Sequence, residues 1–148
     1  MVVHLLLQKF YKFIIKYYLI IIFLKNLDKN GELSCIQAFK VAKLIGMKPK
    51  DMAQVAKSMN IKITNCELGV FGKLQFSQMN EDIYDTLAKG SQENKKVECE
   101  IAWKLAQEKG STLKKVGASI KHSDLKVTHC QLGVFYDEEY EKFERARN

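Results

Sequence analysis

The feature that most constrains this chain is an internal repeat with an offset of 64 residues. CELGVFG at residues 66–72 returns as CQLGVFY at residues 130–136, and the alignment of the two copies needs no gap. From residue 35 to residue 71, 14 of the 37 positions are identical to their counterparts. A match of this length indicates that one structural unit has been duplicated within the chain.

Each copy shows the pattern of two helices followed by extended structure. In the first copy, Ser34 suits an N-cap and Gly46 suits a helix C-terminus, so we predict a helix between them. Its predicted inner face carries Ile36, Phe39, Ala42 and Ile45. Pro49 favours the start of a second helix. The alternating IKIT and the turn residues of NCELGVFG then predict a short β-hairpin that closes its own repeat by packing on the two helices. The predicted fold is therefore mainly α with short β-hairpins, in the α+β class.

The flanking segments complete a predicted organisation in five parts. The connector is expected to hold one amphipathic helix from about Asn80 to Lys89, and the charged tail is expected to be helical, with Tyr140 and Phe143 packing inward. The five parts are an apolar, basic N-terminal extension at 1–26, the first repeat at 32–73, the connector helix and linker at 74–95, the second repeat at 96–136 and the tail at 137–148.

Residues 1–25 are dominated by Phe, Tyr, Ile, Leu and Lys. Their longest wholly apolar run, Tyr17 to Leu24, is far shorter than the roughly 20 residues that cross a bilayer, so we expect no membrane span here and do not favour membrane contact through this segment. Three interpretations stay open: an extension translated from a misassigned start, a weak membrane anchor, or an extra packing helix.

The net charge of +7 is distributed unevenly. Residues 1–25 carry four lysines and no acid, which leaves +3 for the rest of the chain. This modest excess permits a nucleic-acid partner without requiring one. No nucleophile motif, phosphate-binding loop or pair of carboxylates stands out, so we expect a protein that is not an enzyme and needs no cofactor.

The segment VAKLIGMKPKDMAQVAK at 41–57 resembles the helix-turn-helix of DNA-binding proteins. That motif has a small residue in its first helix, a glycine four residues later, and an apolar anchor six residues after the glycine, because two helices must pack closely around a tight turn. The second copy departs at Gly117, which costs about 1 kcal/mol relative to Ala inside a helix. The matching residues are Ala42, Gly46 and Met52 in the first copy and Ala106, Gly110 and Val116 in the second.

The segments that contain Gly69 and Gly133 resemble the wing of a winged helix, so the resemblance implies two tandem winged helix-turn-helix-like repeats. It also implies a DNA-binding protein that regulates transcription, with duplex DNA as partner and Ala118 facing outward. A solvated helix face is the alternative explanation for the same lysines. The implied contact residues are Lys48, Lys50, Gln54, Lys57, Lys62, Lys73, Lys114, Lys121 and Lys126.

The four cysteines are paired by the repeat, Cys35 with Cys99 and Cys66 with Cys130. Four cysteines in a chain of this size, none of them in a CxxC pair, do not resemble the disulfide framework of a secreted protein, so we expect a reducing cytoplasm. Burial as small apolar side chains is the preferred interpretation. Two alternatives stay open: an accessory protein that binds a metal or an iron–sulfur cluster through all four thiols, and a redox switch. A module that binds a protein partner or a second copy of itself is a further alternative.

Overall fold

A computed structural model describes residues 1–91, 94–136 and 138. It confirms a mainly helical α+β fold with two small pairs of strands. The first repeat contains β1 (Leu33–Ser34), α2 (Cys35–Ile45), a 3-10 turn (Pro49–Asp51), α3 (Met52–Ser58) and β2 (Ile63–Thr64). The remaining elements are α1 (Val2–Lys25), α4 (Glu81–Gly90), β3 (Lys96–Val97), α5 (Cys99–Glu108), α6 (Leu113–Lys121) and β4 (Lys126–Val127).

The strands differ from the predicted hairpins. β1 pairs with β2 in parallel, with Leu33 opposite Ile63, and β3 pairs with β4 in the same way. Parallel partners need a long connection, which the two helices of each repeat supply. Residues 66–72, which the structure describes in full, contain no strand. They form a tight loop in which the Cys66 amide donates to the Phe71 carbonyl oxygen at 3.0 Å.

The first helix of each repeat ends as the glycines predict. Gly46 adopts the left-handed conformation with φ 66°, and the Met47 amide reaches back to the Ala42 carbonyl oxygen at 2.9 Å. The second repeat repeats this end at Gly110, where the amide of Ser111 donates to the carbonyl oxygen of Ala106 at 2.9 Å. At the other end of α2, the Ser34 hydroxyl accepts from the amide of Gln37, which confirms the predicted N-cap.

The inner face of α2 was predicted wrongly at Ile36, whose side chain is 41 % exposed. The prediction is confirmed at Ala42, which is buried together with Cys35, Ala38 and Val41. Phe39 and Ile45 are partly buried and pack against a hydrophobic core. The helix is apolar on more than one side, so periodicity alone does not fix which side is covered. Small residues face inward because another segment of the chain approaches them closely.

The molecule has two hydrophobic cores, and each contains the loop of the other repeat. We call residues 66–71 the first loop and residues 130–135 the second loop. Leu132 of the second loop is fully buried with α2 and α3 in the first core. Leu68 of the first loop is buried with α5 and α6 in the second core. The loops were expected to close their own repeats; they are exchanged between the repeats.

Two aromatic contacts show that the repeats face each other around an approximate twofold axis. Phe39 packs against Trp103 with ring centroids 4.4 Å apart, and Phe71 packs edge-on against Phe135 at 6.2 Å. In both pairs the partners occupy the same position in the two repeats. A residue contacts its own counterpart only near a twofold axis, so both pairs mark that axis.

The structure of the flanking segments agrees in part with the predictions made from the sequence. The predicted connector helix is α4, capped by Asn80, with Ile83 and Leu87 buried in the second core. The end of α1 packs on the first core, where Phe23 is fully buried. No helix of the described residues is long and apolar enough to cross a membrane. The predicted tail helix with Tyr140 and Phe143, and part of the predicted linker, lie outside the described residues.

Candidate nucleic-acid interface and thiol centre

All nine side chains predicted to contact DNA lie on the surface of the protein. Ala118 was predicted wrongly: it is fully buried, because the loop of the first repeat covers the middle of α6. The nine exposed residues are Lys48, Lys50, Gln54, Lys57, Lys62, Lys73, Lys114, Lys121 and Lys126.

Five of these residues line two grooves, one on either side of the second loop. The larger groove, which we call the basic groove, has a volume of about 830 Å³ and is lined by Gln54, Lys57 and Lys62. The side groove, of about 420 Å³, is lined by Lys48 and Lys50. The other four predicted residues line neither groove.

The basic groove combines positive charge with an apolar floor. Phe71 and Phe135 lie on its floor, and no carboxylate of the described residues lines it. The ammonium group of Lys62 lies 3.9 Å from the carboxylate of Glu32, but its side chain is 74 % exposed. A solvent-exposed ion pair of this kind contributes little free energy, so the Lys62 ammonium group can bind an anion from solution.

The second loop covers the start of α3. The Ala53 amide donates to the Leu132 carbonyl oxygen at 2.9 Å. A side chain at Gly133 would place its Cβ atom 2.6 Å from the carbonyl oxygen of Lys50, so only glycine allows this approach. In a helix-turn-helix the first turn of the second helix enters the major groove. Here the second loop contacts the backbone of that turn, while the side chains of Lys50, Gln54 and Lys57 are exposed.

The first loop packs in a different way on the second repeat. A Cβ atom at Gly117 would lie 2.0 Å from the carbonyl oxygen of Glu67. Gly117 is therefore a site of close backbone approach, a role that the sequence showed only as an unfavourable helix residue. The Lys121 ammonium group donates to the Gly69 carbonyl oxygen at 3.1 Å, which draws it toward the first loop.

Phe76 packs between the first loop and the second repeat. Its ring lies against both Gly69 and Gly117, so it fills the space between the first loop and α6. The counterparts of these glycines in the repeat are Gly133 and Ala53, and both line the basic groove. The counterpart of Phe76 at the repeat offset is Tyr140, which lies outside the described residues.

The four thiols are all buried and unbridged. Cys35 lies in the first core with Cys130 of the second loop, and Cys99 lies in the second core with Cys66 of the first loop. Burial as core side chains agrees with the preferred interpretation of the sequence. The exchange of the loops also brings the thiols of the two repeats toward each other, which the sequence left undecided.

Burial raises the pKa of the Cys35 thiol far above its usual value, and repulsion from Cys66, Cys130 and Cys99 raises it further. Burial also raises the pKa values of Cys99 and Cys130. All three thiols are therefore protonated at neutral pH. In the described residues, no group of three or more His, Cys, Asp or Glu side chains has an arrangement that fits a single metal ion.

Comparison of the chain with protein families, with curated proteins and with solved structures gives no match.

Proposed function

We propose that this protein binds duplex DNA and regulates transcription, using the surface around the second loop. The observation that carries the proposal is the position of Lys48, Lys50, Lys57 and Lys62, which line the two grooves beside that loop. Lysines on both sides of the second loop suit contact with two rows of phosphates. The proposed function is binding without catalysis, in the cytoplasm.

The proposed contact differs from the usual helix-turn-helix contact. The second loop covers the start of α3, so the lysines would bind the phosphate backbone while the exposed tip of the second loop approaches a groove of the DNA. Val134 at that tip is 37 % exposed. Gln54, in the exposed part of α3, supplies an amide of the kind that pairs with base edges. The second loop then takes the place of the wing in the resemblance to winged helix proteins.

Binding of a labelled mixed-sequence duplex, measured by fluorescence anisotropy at several salt concentrations, tests the proposal. The logarithm of the binding constant should fall linearly with the logarithm of the salt concentration. Replacing Lys50, Lys57 and Lys62 together by Gln should make this slope shallower by about 0.9 for each phosphate that the variant no longer neutralises.

A matched control variant has Lys43, Lys89 and Lys104 replaced by Gln. Its net charge equals that of the first triple variant, but these three lysines line neither groove. It should keep the slope of the unmodified protein. Absence of salt-dependent binding, or an equal loss of binding in the two variants, would overturn the proposal.

A further inference from the structure

Most of α1 makes no use of the two hydrophobic cores. All residues from 1 to 18 are exposed, and only the end of the helix packs on the first core, through Ile22 and Phe23. At 1.5 Å per residue, the exposed part of α1 is about 25 Å long. Its side chains are mostly large and apolar, and a monomeric protein in solution rarely exposes an apolar surface of this extent. The surface of α1 is therefore a candidate interface with a partner.

The apolar side chains of α1 follow a heptad repeat along the whole helix. Spacings of three and four residues alternate through seven positions without interruption, and none of these positions holds a charged residue. This is the pattern of the a and d positions of a coiled coil, in which the side chains of one helix pack between those of a second, similar helix. We call these positions the seam; they are Val3, Leu6, Phe10, Phe13, Tyr17, Ile20 and Leu24.

The seam remains open in the folded chain. Ile20 is partly buried, and the other six seam residues are exposed. Phe23 is fully buried in the first core, whereas its neighbour Leu24 stays exposed. The fold therefore uses a different side of α1 from the seam, and the seam is free to pack against a second helix.

The charges of α1 determine how two copies of the helix can pair. The helix carries four lysines and no carboxylate. Lys9 and Lys16 flank the seam on one side at g positions, and Leu7, Ile14 and Ile21 flank it on the other side at e positions. An antiparallel pair would place g positions opposite g positions and set lysine against lysine. A parallel pair places each lysine stem on apolar side chains of the other copy, with its ammonium group in water.

We propose that two copies of the chain associate through the seam as a parallel two-stranded coiled coil, with the repeats of both copies at the same end. A second copy is the partner that the chain itself supplies, with a seam that matches in length, spacing and lack of charge. Each aromatic side chain can bury about 150–250 Å². The six rings at Phe10, Phe13 and Tyr17 of two copies therefore provide a large part of the roughly 1,200–2,000 Å² that a stable interface buries.

Sedimentation equilibrium of the full chain without DNA tests the proposal. We expect a mass twice the 17.1 kDa of one chain, with dissociation on dilution. The double variant Phe10→Glu, Tyr17→Glu places like charges opposite each other in the seam and should raise the dissociation constant about a hundredfold or more.

The matched control is the double variant Tyr11→Glu, Tyr18→Glu. It has the same spacing and the same change of charge, but both positions lie outside the seam. All four replaced side chains are between 61 % and 66 % exposed, so the substitutions leave the two cores intact. The control should change the dissociation constant by no more than about threefold, as expected for surface substitutions.

The variant Leu6→Cys reports the orientation of the two helices. In a parallel pair, position 6 lies opposite position 6 of the second copy, so oxidised glutathione should join the two thiols in a disulfide and take up their two electrons and two protons. The unmodified chain, whose four thiols are buried, is the control and should form no such link. In an antiparallel pair position 6 faces the other end of the seam, so absence of the link in a dimer would overturn the parallel arrangement.

Dimerisation and DNA binding respond differently to salt, so failure of this proposal is distinguishable from failure of the proposed function. Salt screens the lysines of the paired helices and should leave the dimer as strong or stronger, whereas it weakens binding to phosphates. A monomeric mass at every concentration, an equal effect of the two double variants, or a monomer that binds phosphatidylglycerol vesicles through α1 would overturn the proposal.

Discussion

The ring of Phe39 packs against the ring of Trp103, its own counterpart in the second repeat, with centroids 4.4 Å apart. Aromatic pairs contribute about 0.5–1.5 kcal/mol beyond the area they bury. A double-mutant cycle with Phe39→Ala and Trp103→Ala should therefore give a coupling free energy of about this size in chemical denaturation. A cycle of Phe39→Ala with Tyr84→Ala is the control, because Tyr84 packs against the second core only. If the first cycle is additive within about 0.3 kcal/mol, the contact at the axis is not energetically important.

The exchange of the loops predicts which repeat is perturbed when a buried loop leucine is truncated. Leu132→Ala removes a fully buried side chain and should lower the free energy of unfolding by about 2–5 kcal/mol. Its amide chemical-shift changes should concentrate in α2 and α3, because Leu132 lies in the first core. The matched substitution Leu68→Ala should shift α5 and α6 instead. Changes confined to the repeat that carries the substitution would contradict the exchange.

The sign of the stability change in Gly117→Ala distinguishes helix propensity from close backbone packing as the dominant effect at this position. Helix propensity alone predicts that Gly117→Ala stabilises the protein by about 1 kcal/mol. The structure predicts destabilisation by about 1–3 kcal/mol, because the added Cβ atom would meet the Glu67 carbonyl oxygen at 2.0 Å and force the first loop to move. The reverse substitution at the counterpart position, Ala53→Gly, should cost no more than about 1 kcal/mol. Equilibrium unfolding of the two variants decides between the explanations.

The raised pKa values of the buried thiols predict loss of stability in alkaline solution. A thiol of the unfolded chain ionises near its ordinary pKa of 9.0, whereas Cys35 in the folded protein keeps its proton to higher pH. Above pH 9 the unfolded state therefore binds fewer protons, and the free energy of unfolding falls by about 1.4 kcal/mol per pH unit for each such thiol. Below pH 9 these thiols make no pH-dependent contribution.

Comparison of the unmodified chain with Cys35→Ala isolates this effect from the lysines and tyrosines that titrate in the same range. The slope of stability against pH between about 9 and 10 should be shallower in the variant by about 1 kcal/mol per pH unit, because the thiol of the unfolded chain is only half ionised at pH 9. Measurements on metal-free protein under reducing conditions are required. Equal slopes would show that Cys35 is not buried away from solvent in the folded state.

The local structure was largely predictable from the sequence. Ser34 and Gly46 fixed the ends of α2 because a hydroxyl N-cap and a left-handed glycine act within one turn of the chain. The same local physics predicted the connector helix from Asn80, whose side chain accepts from the amide of Ile83. These features depend on neighbours in the sequence and on little else.

The exchange of the loops was not predictable, and the repeat itself is the reason. Leu68 and Leu132 are both leucines at the same position of the repeat, so the sequence does not show which core each of them fills. Ile36 illustrates the same limit, because its exposure depends on which loop covers α2. The side of a helix that faces inward was decided by a distant segment, and hydrophobic periodicity does not identify that segment.

The exchange of the loops has a consequence for how the two halves depend on each other. Two separate copies of one repeat could complete their cores only by association, at a rate set by their concentration, as in a swapped homodimer. Joining them by residues 74–95 makes that association intramolecular and therefore independent of dilution. It also lets the halves diverge, because each sequence position now exists once in the assembly. Gly117 and Ala53 show this divergence, because the glycine allows the close approach of the Glu67 carbonyl oxygen and its counterpart carries a Cβ atom.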